Sequence, residues 1–467
     1  MATNYSPQYA PGQYPPPQRS FAGPIVLIAL GVLFLLGNLN KISWPSMGSM
    51  FARWWPLLII LWGVVKLIEY GVAQREGRRA AGIGAGGVVL LVLLILTGLT
   101  ASGVHRFANQ VDLGDLRDFD NDNDFFNGMF GEVYHFDQEL HQALPAGASL
   151  KVASEHGTVT VNPWDQSDLK VMVTKRLRAH DQADADKQDN ATKVQISVNG
   201  SEVLVNANTT GAGSRGVDSD LVIYLPRRAA VNVAANHGDI TISGRDGEVQ
   251  VSDSHGDTTI SDVVGNVHVA MHGSVHASKI TGDVRVDGRP DEVNVDDVSG
   301  SLMIAGDVMD SMTLARIGKT VTYHSSRTEL EMASLPGDLT LESDDLTGKQ
   351  ISGPLRLVTR SKDIHLDDVS GDANVENANG ELELHAGKPL GNLQLTNKNA
   401  DINLFLPGGA SFQVNATVRR GEISSDFGGI STSNSENEGR ASGVFGSGGP
   451  KVEISNEHGD VQIRKAG

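Results

Sequence analysis

From His237 onward, apolar residues stand in pairs two positions apart, and the pairs recur at a fixed interval. HGDITISGRDGEVQVSDS, HGDTTISDVVGNVHVAM, HGSVHASKITGDVRVDGR and PDEVNVDDVSGSLMIAGD follow one another, so the unit is 17 or 18 residues. The first half of each unit offers Ile240/Ile242, Thr258/Ile260, Val275/Ala277, Val293/Val295, Met312/Leu314 and Leu330/Met332. The second half offers Val249/Val251, Val267/Val269, Val284/Val286, Leu302/Ile304, Val321/Tyr323 and Leu339/Leu341. Side chains two apart on a strand point the same way, and the Gly or Asp before each pair supplies a turn. A strand this short cannot bury its apolar side alone, but stacked coils share one interior and pair every backbone group with the coil above or below. The pattern therefore predicts an all-β, right-handed parallel β-solenoid with two short strands per coil. About nine coils spaced ~4.8 Å apart make a rod of order 40 Å.

The repeat occupies residues 237–404, with later pairs at Ile364/Leu366, Leu382/Leu384, Leu393/Leu395 and Ile402/Leu404, and a degenerate coil at 345–352. Longer strand patterns flank it, so residues 131–236 and 405–467 are expected as β-rich caps that block edge pairing. The Gly/Ser-rich stretch 428–450 is expected as a flexible loop.

The first hundred residues follow a different period. Phe21 to Leu39 carries no charge over about the length that crosses a ~30 Å bilayer core. Phe51 to Ile68 is shorter, but Trp54, Trp55 and Trp62 suit membrane interfaces, and Gly82 to Val104 is uncharged throughout. Residues 21–104 thus read as three transmembrane helices, after a Pro/Tyr/Gln-rich tail at 1–20 that cannot build a core. A weak basic start and the lack of a small-x-small site argue against a cleaved signal peptide. Lys66, Arg75, Arg78 and Arg79 cluster between spans two and three, and basic loops stay in the cytoplasm. The expected topology is a multi-pass inner-membrane protein with its N-terminus inside and its β domain outside.

Charge divides at the same point. Residues 1–106 hold eight Lys/Arg against Glu69 and Glu76, a balance of +6, and the overall −18 leaves −24 for the rest. That field repels nucleic acid, which needs cations to displace its counterions. The absence of cysteine excludes disulfides, thiolate chemistry and sulfur-bound zinc. In the acidic stretch 105–130, a calcium loop begun at Asp120 would need Gly sixth and Glu twelfth, where Phe125 and Gly131 stand, so the stretch reads as a juxtamembrane linker.

Two resemblances attach to these patterns. GPIVLIALGVLFLLGNL followed by RWWPLLIILWGVVKLI, within residues 21–70, resembles the transmembrane hairpin of LiaF-type bacterial envelope proteins, which implies a link to envelope-stress signalling. GTVTVNPW, LVIYLPRRAAVNVAANHGDITI and INLFLPGGASFQVNATVRRGEISSDF, with the repeat between them, resemble the putative-adhesin β-solenoid family over residues ~145–467. That resemblance is specific for fold and says little about function.

Candidate chemistry is sparse. His237, His255 and His272 open successive coils, and His156 and His458 precede glycine in the same way. A ladder of imidazoles could take a metal, but spacing alone completes no coordination shell, and the competing expectation is turn residues whose rings pack one coil apart. Asp239, Asp257 and Asp283 read as turn formers. The outward positions Thr241, Thr259, His276, Asn294, Thr313 and Glu331 on one side, and Gln250, His268, Arg285, Met303, Thr322 and Thr340 on the other, form no aromatic stripe. No nucleophile elbow or phosphate loop occurs, so no enzyme and no cofactor are expected. The sequence points to a non-enzymatic envelope protein that presents an interaction or scaffolding surface to a protein or cell-wall partner outside the cytoplasm. The alternatives are an envelope-stress sensor relaying to a cytoplasmic regulator, and cell-surface adhesion.

Overall fold

The computed structural model describes residues 132–209 and 217–466. The tail, the three expected spans, Trp54, Trp55, Trp62, Lys66, Arg75, Arg78, Arg79 and the acidic linker lie outside the described residues. The chain divides into the units Met1–Gly131 and Glu132–Gly467, and the second is described here. Among the described residues no helix is long and apolar enough to cross a membrane.

The paired apolar positions set the register. Ile240, Thr258, Val275, Val293 and Met312 are parallel neighbours in one ladder. Val231, Val249, Val267, Val284, Leu302 and Val321 are parallel neighbours in a second. All of them are buried, so the aliphatic column expected from the repeat is the core of the unit. Each coil contributes one strand to each ladder. Where the chain passes between ladders at His-Gly, the backbones approach so closely that a Cβ on Gly238 would collide with the carbonyl of Gly157. Only glycine fits there.

Four successive first-ladder coils bend at a residue four places beyond their first inward position. Asp262, Lys279, Asp297 and Arg316 all adopt left-handed φ values between 51° and 56°, turning Val263, Ile280, Val298 and Ile317 back into the core. A side chain in that region costs roughly 1–2 kcal/mol, so the corner is held by the burial of the aliphatic residue after it.

The stack departs from a uniform helix of coils in two ways. First, one coil runs backwards. Val321–His324 pairs antiparallel with Glu329–Met332, and Ser311–Ile317 pairs antiparallel with Leu335–Leu341. Leu330/Met332 therefore joins the second ladder and Leu339/Leu341 the first, the reverse of the expected assignment. Thr340 lies beside Thr313, and Glu331 beside Thr322. Asp345–Ser352, expected as degenerate, is instead a regular strand that restores the parallel direction against Asp363–Glu376, with Leu346 and Ile351 buried.

Second, both terminal coils are inserted. Ser149–His156 lies between Glu202–Asn206 and Ala230–His237, and Val159–Pro163 lies between Val217–Leu225 and Ile240–Arg245. At the other end Lys451–His458 lies between Leu382–Asn399 and Phe412–Arg420, and Val461–Ala466 lies between Ile402–Pro407 and Ile423–Ser425. The flanks expected as caps thus prolong both ladders before antiparallel strands close them. Glu132–Ala143 on Asp168–Ala179, and Gln195–Asn199 on Glu202–Asn206, close one end.

The stretch 428–450, expected as a flexible loop, contains the hairpin Ile430–Ser435 with Glu438–Phe445, which covers Phe412–Arg420. Phe427 meets Phe412 and Phe445 there edge to face, and Phe412 and Phe445 lie tilted against each other. Among the described residues one helix, Gln182–Ala191, interrupts the strands. Asp181 caps it by accepting from the Asp184 amide at 2.7 Å, and Ala185 packs with Leu177, Ala179 and Val217.

Candidate functional site

The turn residues come together as a structural edge. The rings of His156, His237 and His255 follow one another at centroid distances of 4.9 Å, each one coil from the next. His272 is exposed and has no ring contact with them among the described residues. No group of three or more His, Cys, Asp or Glu side chains among the described residues is arranged to hold a metal ion. His458, at the equivalent turn of the inserted C-terminal coil, meets Arg420 Nη1 at 3.0 Å.

The turn carboxylates act between coils. Asp239 Oδ1 accepts from the amide of Asp257 at 3.0 Å, Asp257 Oδ1 from Ser274 at 3.1 Å and Asp283 Oδ1 from Ser301 at 2.8 Å. Each Asp, expected as a turn former, thus satisfies a backbone donor of the next coil and ties successive turns together.

The two outward faces differ in character. On the second ladder, Arg285 grips Asp287 with two bonds of 2.6 and 2.8 Å, and His268 Nε2 reaches the same carboxylate at 2.8 Å. Burial pulls the Asp287 carboxyl up, but its bonds to Arg285 and His268 outweigh that and hold it below its ordinary value. Gln250 accepts from Asn232 at 3.1 Å and donates to Glu248 at 3.0 Å. This face is largely self-satisfied. On the first ladder, Thr160, Thr241 and Thr259 stand in register with Ser243 and Ser261 beside the latter two. These hydroxyls have no hydrogen-bond partner among the described residues.

Between the faces runs the left-handed corner. Arg227 bonds Asp246 at 3.2 Å and Asp262 at 3.0 Å, while Arg316 bonds Asp297 at 2.6 Å and also contacts Asp296. The hydrogen bond from Arg316 holds the Asp297 carboxyl below its ordinary value. Alternating charges line a shallow open groove of about 640 Å³ floored by Ile280, Val298 and Ile317. Exposed pairs of this kind are screened by solvent and contribute little to stability, so they define a charge pattern more than they hold the fold.

A further cluster escaped the sequence reading. Glu383 Oε1 lies 3.2 Å from His365 Nδ1 and 2.9 Å from His385 Nε2, and His385 stacks on Phe405 at 4.1 Å. These residues stand one position past Ile364, Leu382, Leu384 and Leu404, and the ladder sets His365 beside Glu383 and His385 beside Phe405.

Stacked two-strand coils closed by hairpins define a β-solenoid repeat domain. The profile of the Toastrack DUF4097 family matches residues 148–464, and the chain belongs to that family. A LiaI-LiaF-like transmembrane region matches residues 21–67, in line with the resemblance of the Phe21–Ile68 pattern. No curated protein matches. Similar solved structures include a "putative cell adhesion protein" from Clostridium sporogenes, 11% identical over 71% of this chain and 100% of that one, with a TM-score of 0.15. They also include a "putative adhesin" from Bacteroides fragilis, 8% identical over 72% and 97% of the two chains, with a TM-score of 0.21. With TM-scores this low, neither likeness bears on function. The two profiles fit a membrane-associated envelope protein.

Proposed function

We propose that this is a non-enzymatic, multi-pass inner-membrane protein whose solenoid is an interaction or scaffolding surface outside the cytoplasm. The observation that carries the reading is the run of outward columns held in register over the successive parallel coils of both ladders, with a shallow groove at their shared corner. Extended faces of this kind suit an extended partner, whereas catalysis calls for convergent groups in a cleft. Three helices within residues 21–104 serve as the anchor in lipid. The basic residues Lys66, Arg75, Arg78 and Arg79 favour the N-terminus inside and the β domain outside. The partner is a protein or a cell-wall component, and the net negative charge disfavours nucleic acid.

In-cell crosslinking with mass spectrometry tests this reading. Partners captured by the full chain are expected to disappear when residues 132–467 are deleted. Retention of every partner by residues 1–131 would overturn it.

The LiaI-LiaF-like match favours a second reading, in which the solenoid reports an envelope condition to a cytoplasmic regulator through the tail 1–20 or the loop 69–81. Unchanged stress-gene output on deletion, with no regulator crosslinked to either segment, would remove it. Cell-surface adhesion is a third reading, and protease shaving of intact cells separates it from the others.

A further inference from the structure

The inserted C-terminal coil has a covalent arrangement unlike that of the coils around it. Lys451–His458 and Val461–Ala466 are sandwiched between coils that precede them in the chain, with Val452, Ile454, Val461 and Ile463 buried. Asn456, also buried, donates to the carbonyls of Ala400 at 3.0 Å and Gly459 at 3.1 Å. The coil is joined to the hairpin only through Gly446-Ser-Gly-Gly-Pro450, whose three glycines have φ values of 70°, 78° and 154°. Every strand that flanks the coil is complete before the coil itself is synthesised.

Without the coil, backbone groups would be unpaired along Leu393–Asn399 and Gln413–Arg420 on one ladder, and along Ile402–Pro407 and Ile423–Ser425 on the other. An interior with open edges on four strands is a strong demand for strand addition. Glu438–Phe445 cannot meet it, because that strand already lies on the far side of Phe412–Arg420. The segment that matches the slot in apolar spacing, in the Asn456 contacts and in length is Lys451–Ala466 itself, from this chain or from another.

We propose that two copies of this chain exchange their C-terminal coils, each Lys451–Ala466 segment filling the slot of its partner. The exchanged interface repeats the contacts of the closed chain, so the balance between them rests on the hinge and on local concentration. The hinge must carry the chain past one strand, from Phe445 beside Phe412 to Lys451 beside Gln413. That is two strand spacings, or ~9.6 Å. With Gly446–Gly449 removed, the two Cα steps left through Pro450 reach at most ~7.6 Å, which is too short for self-insertion.

The test uses full-length chains in membranes and exploits the lack of native cysteine. Gln394 and Glu453 are exposed register partners across the slot. Gln394→Cys and Glu453→Cys chains carrying different tags are co-expressed and treated with a short bismaleimide, and the double variant in one chain serves as the reference for closure. Exchange gives a mixed-tag product joined at positions 394 and 453, rising severalfold when Gly446–Gly449 is deleted. Crosslinking confined to the double-variant chain, with no mixed product from either hinge length, overturns the proposal. Because partner capture is read separately, this result leaves the proposed function standing or falling on its own experiment.

Discussion

The guanidinium of Arg245 donates to the carbonyl of Leu225 at 3.3 Å, twenty residues back along the chain, from a fully buried position. Further bonds reach Pro226 at 3.1 Å and Ser243 at 3.2 Å. In the following coils the same inward position holds Val263, Ile280, Val298 and Ile317. Arg245 is placed where the chain must step over the inserted N-terminal coil, and it fastens that crossing. Burial lowers its pKa to about 10, with the like charge of Arg227 adding to the effect.

The carbonyls of Leu225 and Pro226 also accept from the amides of Trp164 and Ala229, so they keep partners if the guanidinium goes. Arg245→Met, which fills most of the space and removes a penalised charge, is therefore expected to change stability by no more than about 1 kcal/mol. Arg245→Ala leaves a void and is expected to cost about 3 kcal/mol. Urea denaturation of both variants checks the difference, and equal losses would show that the bonds matter more than the volume.

In the core column, Leu314→Ala is expected to cost about 3 kcal/mol, because Leu314 is fully buried between neighbouring coils. Thr313→Ala, one residue away on the outward side, should stay within about 0.5 kcal/mol. The same denaturation measurement decides it, and a large loss at Thr313 would count against the assigned faces.

The backward coil predicts a specific covalent test. Thr322 and Glu331 are antiparallel partners, so Thr322→Cys with Glu331→Cys should form an intramolecular disulfide on mild oxidation. Thr313→Cys with Glu331→Cys, which a uniformly wound stack would bring together, should remain reduced. Non-reducing electrophoresis with mass spectrometry distinguishes the two pairings.

Acid should loosen the solenoid through its corner and turns. Asp297 is held low by its bond from Arg316, and Asp307 by the backbone amide of Ser326. A carboxyl with a folded pKa below its unfolded value adds stability that is present above the unfolded pKa of ~3.9 and is lost as pH falls through the folded one. The stability profile is expected to drop below about pH 4, and Asp297→Asn should flatten that limb. His141 works in the opposite sense. Its hydrogen bonds to Glu139 and then Asp168 raise its pKa, so its contribution is full below ~6.5 and disappears as pH rises through the higher folded value. Thermal melts of His141→Gln should therefore show a larger loss at pH 6 than at pH 9.

The spacing of apolar pairs was enough to place Ile240, Thr258, Val275 and Val293 on one buried column, because a period of two fixes which side of a strand faces inward. It could not reveal the backward coil. A pair such as Leu330/Met332 reads the same in either direction, so the periodicity carries no information about strand polarity. Insertion was hidden for a related reason: Val159 and Thr258 are equally good apolar neighbours for Ile240, and order along the chain does not say which coils touch. The helix Gln182–Ala191 is polar on nearly every side and offers no amphipathic period to find. The His365, Glu383 and His385 cluster needed only the outward columns to be followed further along the repeat.

Threading the outermost strands one place inward changes how the domain would respond to tension. A tug on the C-terminal segment loads Lys451–Ala466 along its length against neighbours on both sides. Such a segment resists by shear rather than by peeling. For a domain tethered in a cell envelope, that places mechanical toughness where a simple stack of coils would be weakest.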